Sequence, residues 1–322
     1  MPATITHAFF AKDIYDILSE DISSELDLNR LKMFAQGTDS LLFYNLFSIL
    51  PGKDIRKLQR YTHDNKTRDF FVNMLEFIKE NNIKDKDVYS FLVGFICHYA
   101  LDSTVHPYVY YKTGCFNKKK PETYKYNNVH HFMEIFIDND MVRRRLKINP
   151  YTYDFPKYCF DLREFSNDLN HVINYSFYST YKIRAMREYY YKSLKQMKRD
   201  LKLFRRDPSG IKKGFYKVLD TLTPRSCFRF EAISYHYPLE DKNNFLNKNH
   251  NIWKNPVDDS ITSNESFIDL YIRAIKLARD LIEGSFDYLN GKDIKLDELF
   301  KNNSYLTGLD CDNKKELKYF EF

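Results

Sequence analysis

The chain has 322 residues, and its 50 Lys and Arg residues against 44 Asp and Glu residues give a formal net charge of +6. This mild positive excess does not by itself indicate a nucleic-acid partner. No secretory signal is visible at the start, and no uncharged apolar run reaches about 18 residues, so the sequence predicts no transmembrane segment and a cytoplasmic location. Glycine and proline are scarce, at 9 and 10 residues, which is typical of a mainly helical protein.

The first predicted element is an amphipathic helix that begins near Thr6 or His7. Residues 36–40 follow as a loop that leads into a second helix over residues 41–49. Asp39 therefore lies near a helix N-terminus, where a carboxylate often caps free backbone amides.

A pair of helices is predicted next. His63 lies on a helix or its approach, before a helix over residues 67–81. A strongly apolar helix follows over residues 88–103. Its end is placed near His106, because the following Pro107 disfavours helical geometry at the residue before it.

The remaining chain is also predicted to be helical, with a basic, aromatic loop over residues 108–128 and helical patterns over residues 130–146, 162–203 and 263–290. The stretch over residues 182–217 carries thirteen Lys or Arg residues against three acidic ones. Such a run is most often a solvated helix face, and the alternative is contact with anionic lipid or polynucleotide.

The spacing of the five cysteines in the sequence indicates neither disulfide pairs nor a metal-binding motif. Cys97, Cys115, Cys159, Cys227 and Cys311 show no Cys-x-x-Cys spacing. We expect reduced thiols that supply no structural zinc site.

The most informative residues are metal-ligand types spaced one helical turn apart. His98, Asp102 and His106 follow one another at intervals of four, and His130 precedes Glu134 by four. Residues four apart share a helix face. His98 and Asp102 also lie in an apolar run, where a buried carboxylate is costly unless it is paired or binds a metal. A single His-x-x-x-Asp pair is more often a satisfied core histidine, but two such pairs favour a metal site.

Eight residues are candidate ligands: His7, Asp39, His63, His98, Asp102, His106, His130 and Glu134. Zinc binds imidazole nitrogen and carboxylate oxygen, and a catalytic zinc site keeps one position for a water molecule. Eight ligands are too many for one zinc ion and suit two or three. The set indicates hydrolysis of a phosphate ester by zinc-activated water. His171, His236 and His250 lack a partner at ligand spacing and are taken as ordinary residues.

Five blocks within about the first 140 residues resemble the zinc-dependent phospholipase C family. They are residues 6–9 (THAF), 36–39 (QGTD), 61–63 (YTH), 98–107 (HYALDSTVHP) and 130–134 (HHFME). The segment over residues 250–256 also looks like a family feature, without an assigned role. The resemblance implies an all-α single domain of the zinc phospholipase C and zinc nuclease type, with a metal cluster between its helices.

The resemblance also implies how the ligands divide among three zinc ions. One ion would be held by Asp39, His63, His98 and Asp102, a second by His106, His130 and Glu134, and a third by His7 with Asp102 as a bridge. Asp39 matches the proposed general base of the family. Secreted members hold the third zinc with a free N-terminal amine, whereas this chain begins Met1-Pro2 and shows no signal to cleave, so we expect two or three ions.

One candidate ligand is chosen from two adjacent histidines. His130 and His131 are adjacent, and the four-residue spacing to Glu134 favours His130.

Residues 1–150 are predicted to form the metal-binding core. Residues 151–322 are predicted to form a helical part packed on the same domain, with a loose tail from about residue 302.

The expected function is zinc-dependent phosphodiester hydrolysis, with phospholipase C-like cleavage of a phospholipid. Peripheral contact with a membrane surface through residues 182–217 belongs to this hypothesis. One alternative is a single-strand-specific zinc nuclease, which stacking aromatics beside cations would suit. The other is a non-catalytic helical protein with a structural or degenerate metal site.

Overall fold

The computed structural model describes residues 4–46, 55–224, 229–313 and 316–321. Its α-helices are α1 (Thr4–Ile17), α2 (Glu20–Ser23), α3 (Leu28–Phe34), α4 (Arg56–His63), α5 (Thr67–Glu80), α6 (Lys86–Thr113), α7 (Val129–Leu146), α8 (Phe155–Tyr158), α9 (Asn167–Tyr181), α10 (Met186–Asp200), α11 (Ile211–Thr221), α12 (Phe267–Leu289) and α13 (Leu296–Leu299). Shorter elements are the 3-10 helices Gly37–Phe43, Pro121–Tyr126, Pro150–Thr152 and Phe230–Ile233, a π-helical turn, Leu201–Arg205, and the antiparallel strands β1 (Trp253–Lys254) and β2 (Thr262–Ser263). The predicted all-α fold is confirmed.

Helix α6 is the central element, because it contacts α1, α3, α7, α9 and α12. Its start is capped by Asp85, whose side chain accepts a hydrogen bond from the Val88 backbone N–H at 2.9 Å. From Val88 to Val105 every side chain is buried. The helix that carries His98 and Asp102 is therefore held on all sides by other helices.

The long α6 helix continues through Pro107 to Thr113, which corrects the expectation that it ends near His106. Pro107 removes one helical hydrogen bond and costs a helix roughly 3 kcal/mol. Tyr108 and Val109 are buried just beyond it, and burying a large apolar side chain contributes roughly 1.5–3 kcal/mol. Burial of the last turns therefore offsets the cost of the proline.

The apolar character of α6 has a second consequence. Among the residues that the structure describes, α6 is the one helix long and apolar enough to cross a membrane by length and composition. Within the fold, 94% of the most apolar 18-residue stretch of α6 is buried. A buried core helix passes the same test, so this finding establishes no membrane span.

Helix α12 covers one side of α6 and has a well-defined start. Ser266 accepts a hydrogen bond from the Asp269 backbone N–H, and the Asp269 side chain accepts one from the Ser266 backbone N–H. This reciprocal capping box satisfies two amides that the first turn would otherwise leave free. The buried face of the helix includes Leu270, Ala274 and Ala278, and it packs against α6.

The C-terminal segment (residues 301–313 and 316–321) returns to the helical core. The Tyr305 backbone N–H donates to the His63 carbonyl at 2.9 Å. Lys112 of α6 forms an ion pair with Glu321 at 2.5 Å. These long-range contacts differ from the loose tail expected from the polar sequence, since the segment is held through its backbone and through α6.

Three expectations concern residues outside the described ranges. The predicted helix over residues 41–49 runs into the gap at residues 47–54, and Asp39 itself lies within the 3-10 helix Gly37–Phe43. Cys227 and the Met1-Pro2 start also lie outside the described residues. Four cysteines are described, and no disulfide joins any two of them: Cys97, Cys115, Cys159 and Cys311.

Candidate metal centre

His7 is brought to the centre of the molecule by the start of α1. Asp138 of α7 accepts hydrogen bonds from the Ile5 and Thr6 backbone amides and from the Thr6 hydroxyl at 2.7–3.1 Å. Free amides at a helix N-terminus favour a carboxylate, and burial raises the pKa of Asp138 to about 6. Asp138 therefore fixes the helix end that carries His7.

Four candidate ligands form a first group: His7, Asp39, His98 and Asp102. Each residue offers one ligand atom, a histidine nitrogen or a carboxylate oxygen, and these four atoms all lie within 4.8 Å of one another. All four residues are buried. Asp102 is at the middle, with its Oδ1 3.2 Å from His7 Nε2 and its Oδ2 3.4 Å from His98 Nε2. Asp39 Oδ2 lies 3.5 Å from His98 Nε2.

His63 adjoins this first group. Its Nε2 lies 3.2 Å from Asp39 Oδ1, 3.2 Å from His98 Nε2 and 3.7 Å from Asp102 Oδ2. Burial alone lowers the pKa of His63, but the carboxylates of Asp39 and Asp102 raise it to about 9. For His98, burial dominates and lowers the pKa to about 4. A cation bound between these residues would take the place of the His63 proton.

A second group consists of His106, His130 and Glu134. One ligand atom from each again lies within 4.8 Å of the others. His130 Nε2 is 2.9 Å and His106 Nε2 3.8 Å from Glu134 Oε1. Burial acts to raise the pKa of Glu134, and the imidazoles of His130 and His106 act to lower it. The group adjoins the first through Asp102, whose Oδ2 lies 3.6 Å from His106 Nδ1.

Four of the imidazole rings are anchored in the same way, through Nδ1. They place Nδ1 near a hydrogen-bonding oxygen outside the group: His98 with the Ala35 carbonyl at 3.0 Å, His63 with the Thr38 hydroxyl at 3.2 Å, His106 with the Tyr305 carbonyl at 2.9 Å and His130 with the Thr113 hydroxyl at 3.4 Å. This leaves each Nε2 directed at the carboxylates. Metal-binding histidines are commonly held in this way, since the partner of one nitrogen fixes the ring and the tautomer.

The donor set fits zinc. Among the candidate ligands, three deeply buried atoms make no hydrogen bond to a described residue: His7 Nδ1, Asp39 Oδ2 and Asp102 Oδ2. Burial favours the neutral form of Asp102, but His106 and His98 hold its pKa well below the usual range, so it stays ionised. Buried ionised carboxylates without hydrogen bonds are costly unless a cation compensates them. Imidazole and carboxylate together are typical zinc ligands.

The chain belongs to the zinc-dependent phospholipase C family. The model of that family, zinc dependent phospholipase C, matches residues 6–191, which is more than half of the chain. No curated protein and no solved structure gives a significant match. The matched range includes all eight predicted ligands, whereas α11, α12 and the C-terminal segment lie outside it.

Membership of this family supports a zinc-dependent hydrolase and confirms the resemblance seen in the sequence. The family's dependence on zinc agrees with the two groups of possible ligands. The assignment of single residues to single ions stays a prediction. The histidines set aside in the sequence lie elsewhere: His236 stacks on Tyr151 with ring centroids 4.0 Å apart, and His250 Nδ1 lies 3.1 Å from the Asn264 carbonyl.

Two polar residues at the centre were missed in the sequence. Gln59 donates to Asp39 Oδ1 at 2.6 Å, and Asp138 anchors α1 as described above. A signal for both existed, because Gln59 precedes His63 by four residues and Asp138 follows Glu134 by four. Each therefore extends a ligand face by one helical turn.

A cavity of about 710 Å³ lies between α4, the loop around residues 115–126 and the C-terminal segment. Its lining includes Arg60, Lys120 and Lys125 and none of the eight candidate ligands. Arg60 acts electrostatically on Tyr110, whose ring centroid is 5.0 Å from that of His130. Arg60 therefore links the cavity, through Tyr110, to the surroundings of His130.

We expect His130→Ala to release zinc and His131→Ala to have a much milder effect. His130 Nε2 is 2.9 Å from Glu134 Oε1, whereas His131 Nδ1 is 3.8 Å from Glu134 Oε2. Elemental analysis of the two purified variants measures the difference. Greater zinc loss in His131→Ala would exchange the roles of the two residues.

Gly37→Ala should destabilise the protein and disturb His98. Gly37 has a φ of +52°, and a Cβ there would lie 2.3 Å from His98 Cδ2. The left-handed backbone alone costs roughly 1–2 kcal/mol, and the clash adds to it. Thermal unfolding and zinc content are the measurements. Gly291→Ala is the matched control, since Gly291 also has a positive φ, of +89°, but open space around it. Equal losses in the two variants would rule out the clash with His98.

Proposed function

We propose that this protein is a zinc-dependent phospholipase C that hydrolyses a phospholipid on the diacylglycerol side of phosphorus. The observation that carries the proposal is the meeting of two ligand groups at Asp102, in a chain of the zinc-dependent phospholipase C family. A set of this size suits more than one zinc ion. We propose two or three ions, with the eight residues named above as their ligands.

Asp39 is the proposed general base. Bound zinc would supply Lewis-acid stabilisation of the phosphate and a water that loses its proton near neutral pH. Gln59 fixes Asp39 by donating to Oδ1, and Oδ2 makes no hydrogen bond to any residue that the structure describes. Burial raises the pKa of Asp39, but His98 and His63 lower it below the usual value. The residue therefore stays ionised and can accept a proton at Oδ2.

The cavity between α4 and the C-terminal segment has charges of both signs, which suits a phospholipid headgroup. Its cationic residues, which would neutralise a phosphodiester, are Arg60, Lys120, Lys125 and Lys318. Its acidic residues are Asp64, Glu122 and Glu316. A zwitterionic headgroup would place its phosphate and its ammonium against opposite charges there.

The first experiment is elemental analysis of untagged protein, followed by hydrolysis of phosphatidylcholine in mixed micelles. We expect two or three zinc ions per chain, with diacylglycerol and phosphocholine as products. Asp39→Asn should retain the fold, measured by circular dichroism, and lose hydrolysis. Exposed Asp168→Asn on α9 is the matched control and should keep the full rate.

Other results would select the alternatives. Cleavage of single-stranded DNA without cleavage of any phospholipid would make the protein a zinc nuclease. Phosphatidic acid as the product would place the cut on the other side of phosphorus. A folded protein that binds at most one zinc ion and cleaves no phosphodiester would be non-catalytic.

A further inference from the structure

Helix α11 presents its apolar side chains to solvent. Ile211, Phe215, Val218 and Leu222 follow at intervals of four, three and four, so they share one face. They are 75%, 60%, 60% and 78% exposed. A helix of a folded domain normally turns such a face to the core, and a contiguous exposed apolar face marks an interaction site.

The inward face of α11 is polar instead. Tyr216 and Asp220, four residues apart, are the buried residues of the helix. The Tyr216 hydroxyl donates to the Phe204 carbonyl at 3.0 Å, and Asp220 accepts from the Phe230 and Glu231 backbone amides at 2.6 and 3.0 Å. These contacts hold the helix on the protein, so its apolar face is not needed for its attachment.

Positive charge accompanies the exposed face. Helix α11 contains Lys212, Lys213 and Lys217, and its one acidic residue is the buried Asp220. Glu231 pairs with Lys213 and Lys217 at 3.4 and 3.5 Å, which leaves the local charge positive. A helix with aliphatic and aromatic residues on one face and lysines beside them is typical of segments that lie at a membrane surface.

We propose that α11 docks the protein on a phospholipid bilayer, with its apolar face among the lipid chains and its lysines at the phosphates. The composition favours lipid over polynucleotide, because Phe215 is the one aromatic residue on the face and sequential base stacking needs several. The identity of the partner rests on the proposed function, since a phospholipid substrate brings the protein to a lipid surface.

The docking helix lies close to the helix of the second ligand group. A cavity of about 560 Å³ is lined by Lys213 and Lys217 of α11 and by Phe132 of α7. Phe132 lies between His130 and Glu134 in the sequence, and its ring stacks on Tyr237 with centroids 5.3 Å apart. A bilayer bound at α11 therefore contacts the side of the molecule where α7 begins.

The test is co-sedimentation of the zinc-loaded full chain with vesicles of phosphatidylcholine and phosphatidylglycerol. The double variant Phe215→Ser/Val218→Ser is expected to lower vesicle affinity at least tenfold. It should also lose hydrolysis of vesicle lipid, while retaining its zinc, its melting temperature and its hydrolysis of monomeric dibutyroyl-phosphatidylcholine. The control is Ile268→Ser/Ile272→Ser on α12, which removes two apolar residues that lie one helical turn apart and are 38% and 48% exposed. It should bind vesicles as the unchanged protein does.

Each other outcome is decisive. Equal vesicle affinity of the α11 variant and the unchanged protein would overturn the proposal. So would a dimer that the α11 variant converts to monomer without loss of vesicle binding, because a second copy would then cover the face. Loss of single-stranded DNA binding with intact vesicle binding would assign the face to polynucleotide. Vesicle binding that depends on α11 in a protein without phospholipase activity would support docking and contradict the proposed function.

Discussion

Asp102→Asn is expected to abolish hydrolysis and to release zinc from both ligand groups. Its two carboxylate oxygens lie within 3.2–3.6 Å of nitrogens of His7, His98 and His106. Asp102 therefore adjoins both ligand groups. Asparagine keeps the shape but removes the negative charge that offsets bound cations. Since removal of one electrostatic contact in an active site already costs about 10²–10³ in rate, we expect a loss of at least about a thousandfold.

The measurements are zinc content by elemental analysis and the initial rate with phosphatidylcholine micelles. His236→Ala is a useful companion, because His236 stacks on Tyr151 away from the two groups and should leave the zinc content unchanged. An Asp102→Asn protein with full zinc content and full activity would show that the site has been assigned to the wrong residues.

Removal of the chain after Phe300 is expected to lower zinc affinity and thermal stability together. The Tyr305 carbonyl accepts the Nδ1–H of His106 at 2.9 Å, and the Tyr305 ring lies 4.6 Å from the His63 ring and 5.6 Å from that of His98. Without this segment, His106 loses the partner that fixes its tautomer. Loss of such a supporting contact typically costs about 10–100-fold in metal affinity.

A zinc competition titration with a chromophoric chelator measures the affinity, and thermal unfolding of the metal-free protein measures the stability. The matched control is truncation after Asn313, which removes the ion pair between Lys112 and Glu321 but keeps Tyr305. That protein should lose some stability and keep its zinc affinity. Equal zinc affinity in both truncated proteins and the full chain would contradict a supporting role for Tyr305.

The local part of the metal centre could be predicted because its signal is periodic. His98, Asp102 and His106 share a helix face, and so do His130 and Glu134, so spacing alone places them together in pairs. His7, Asp39 and His63 are of ligand type but have no partner at that spacing, so only the resemblance to the family assigns them to particular ions. Geometry now brings all of them together, since Asp39 and His63 both contact His98.

The remaining features depend on long-range contacts that leave no local pattern. Tyr305 lies 199 residues from His106, and it contributes a backbone carbonyl, which any residue carries. The helix that continues through Pro107 is decided by tertiary burial, which outweighs the local preference of proline. Helix α11 lies outside the helical patterns predicted from the sequence, and apolar spacing alone does not show which face of a helix is covered.

The contact between His106 and Tyr305 also sets an order of events during synthesis. A ribosome adds about 5–20 residues per second, so Tyr305 follows His106 after roughly 10–40 s. During that interval helix α6 can form, but the ring of His106 lacks the carbonyl that fixes its tautomer. The second ligand group is therefore complete only after Tyr305 has been added, and its full affinity for metal requires that residue.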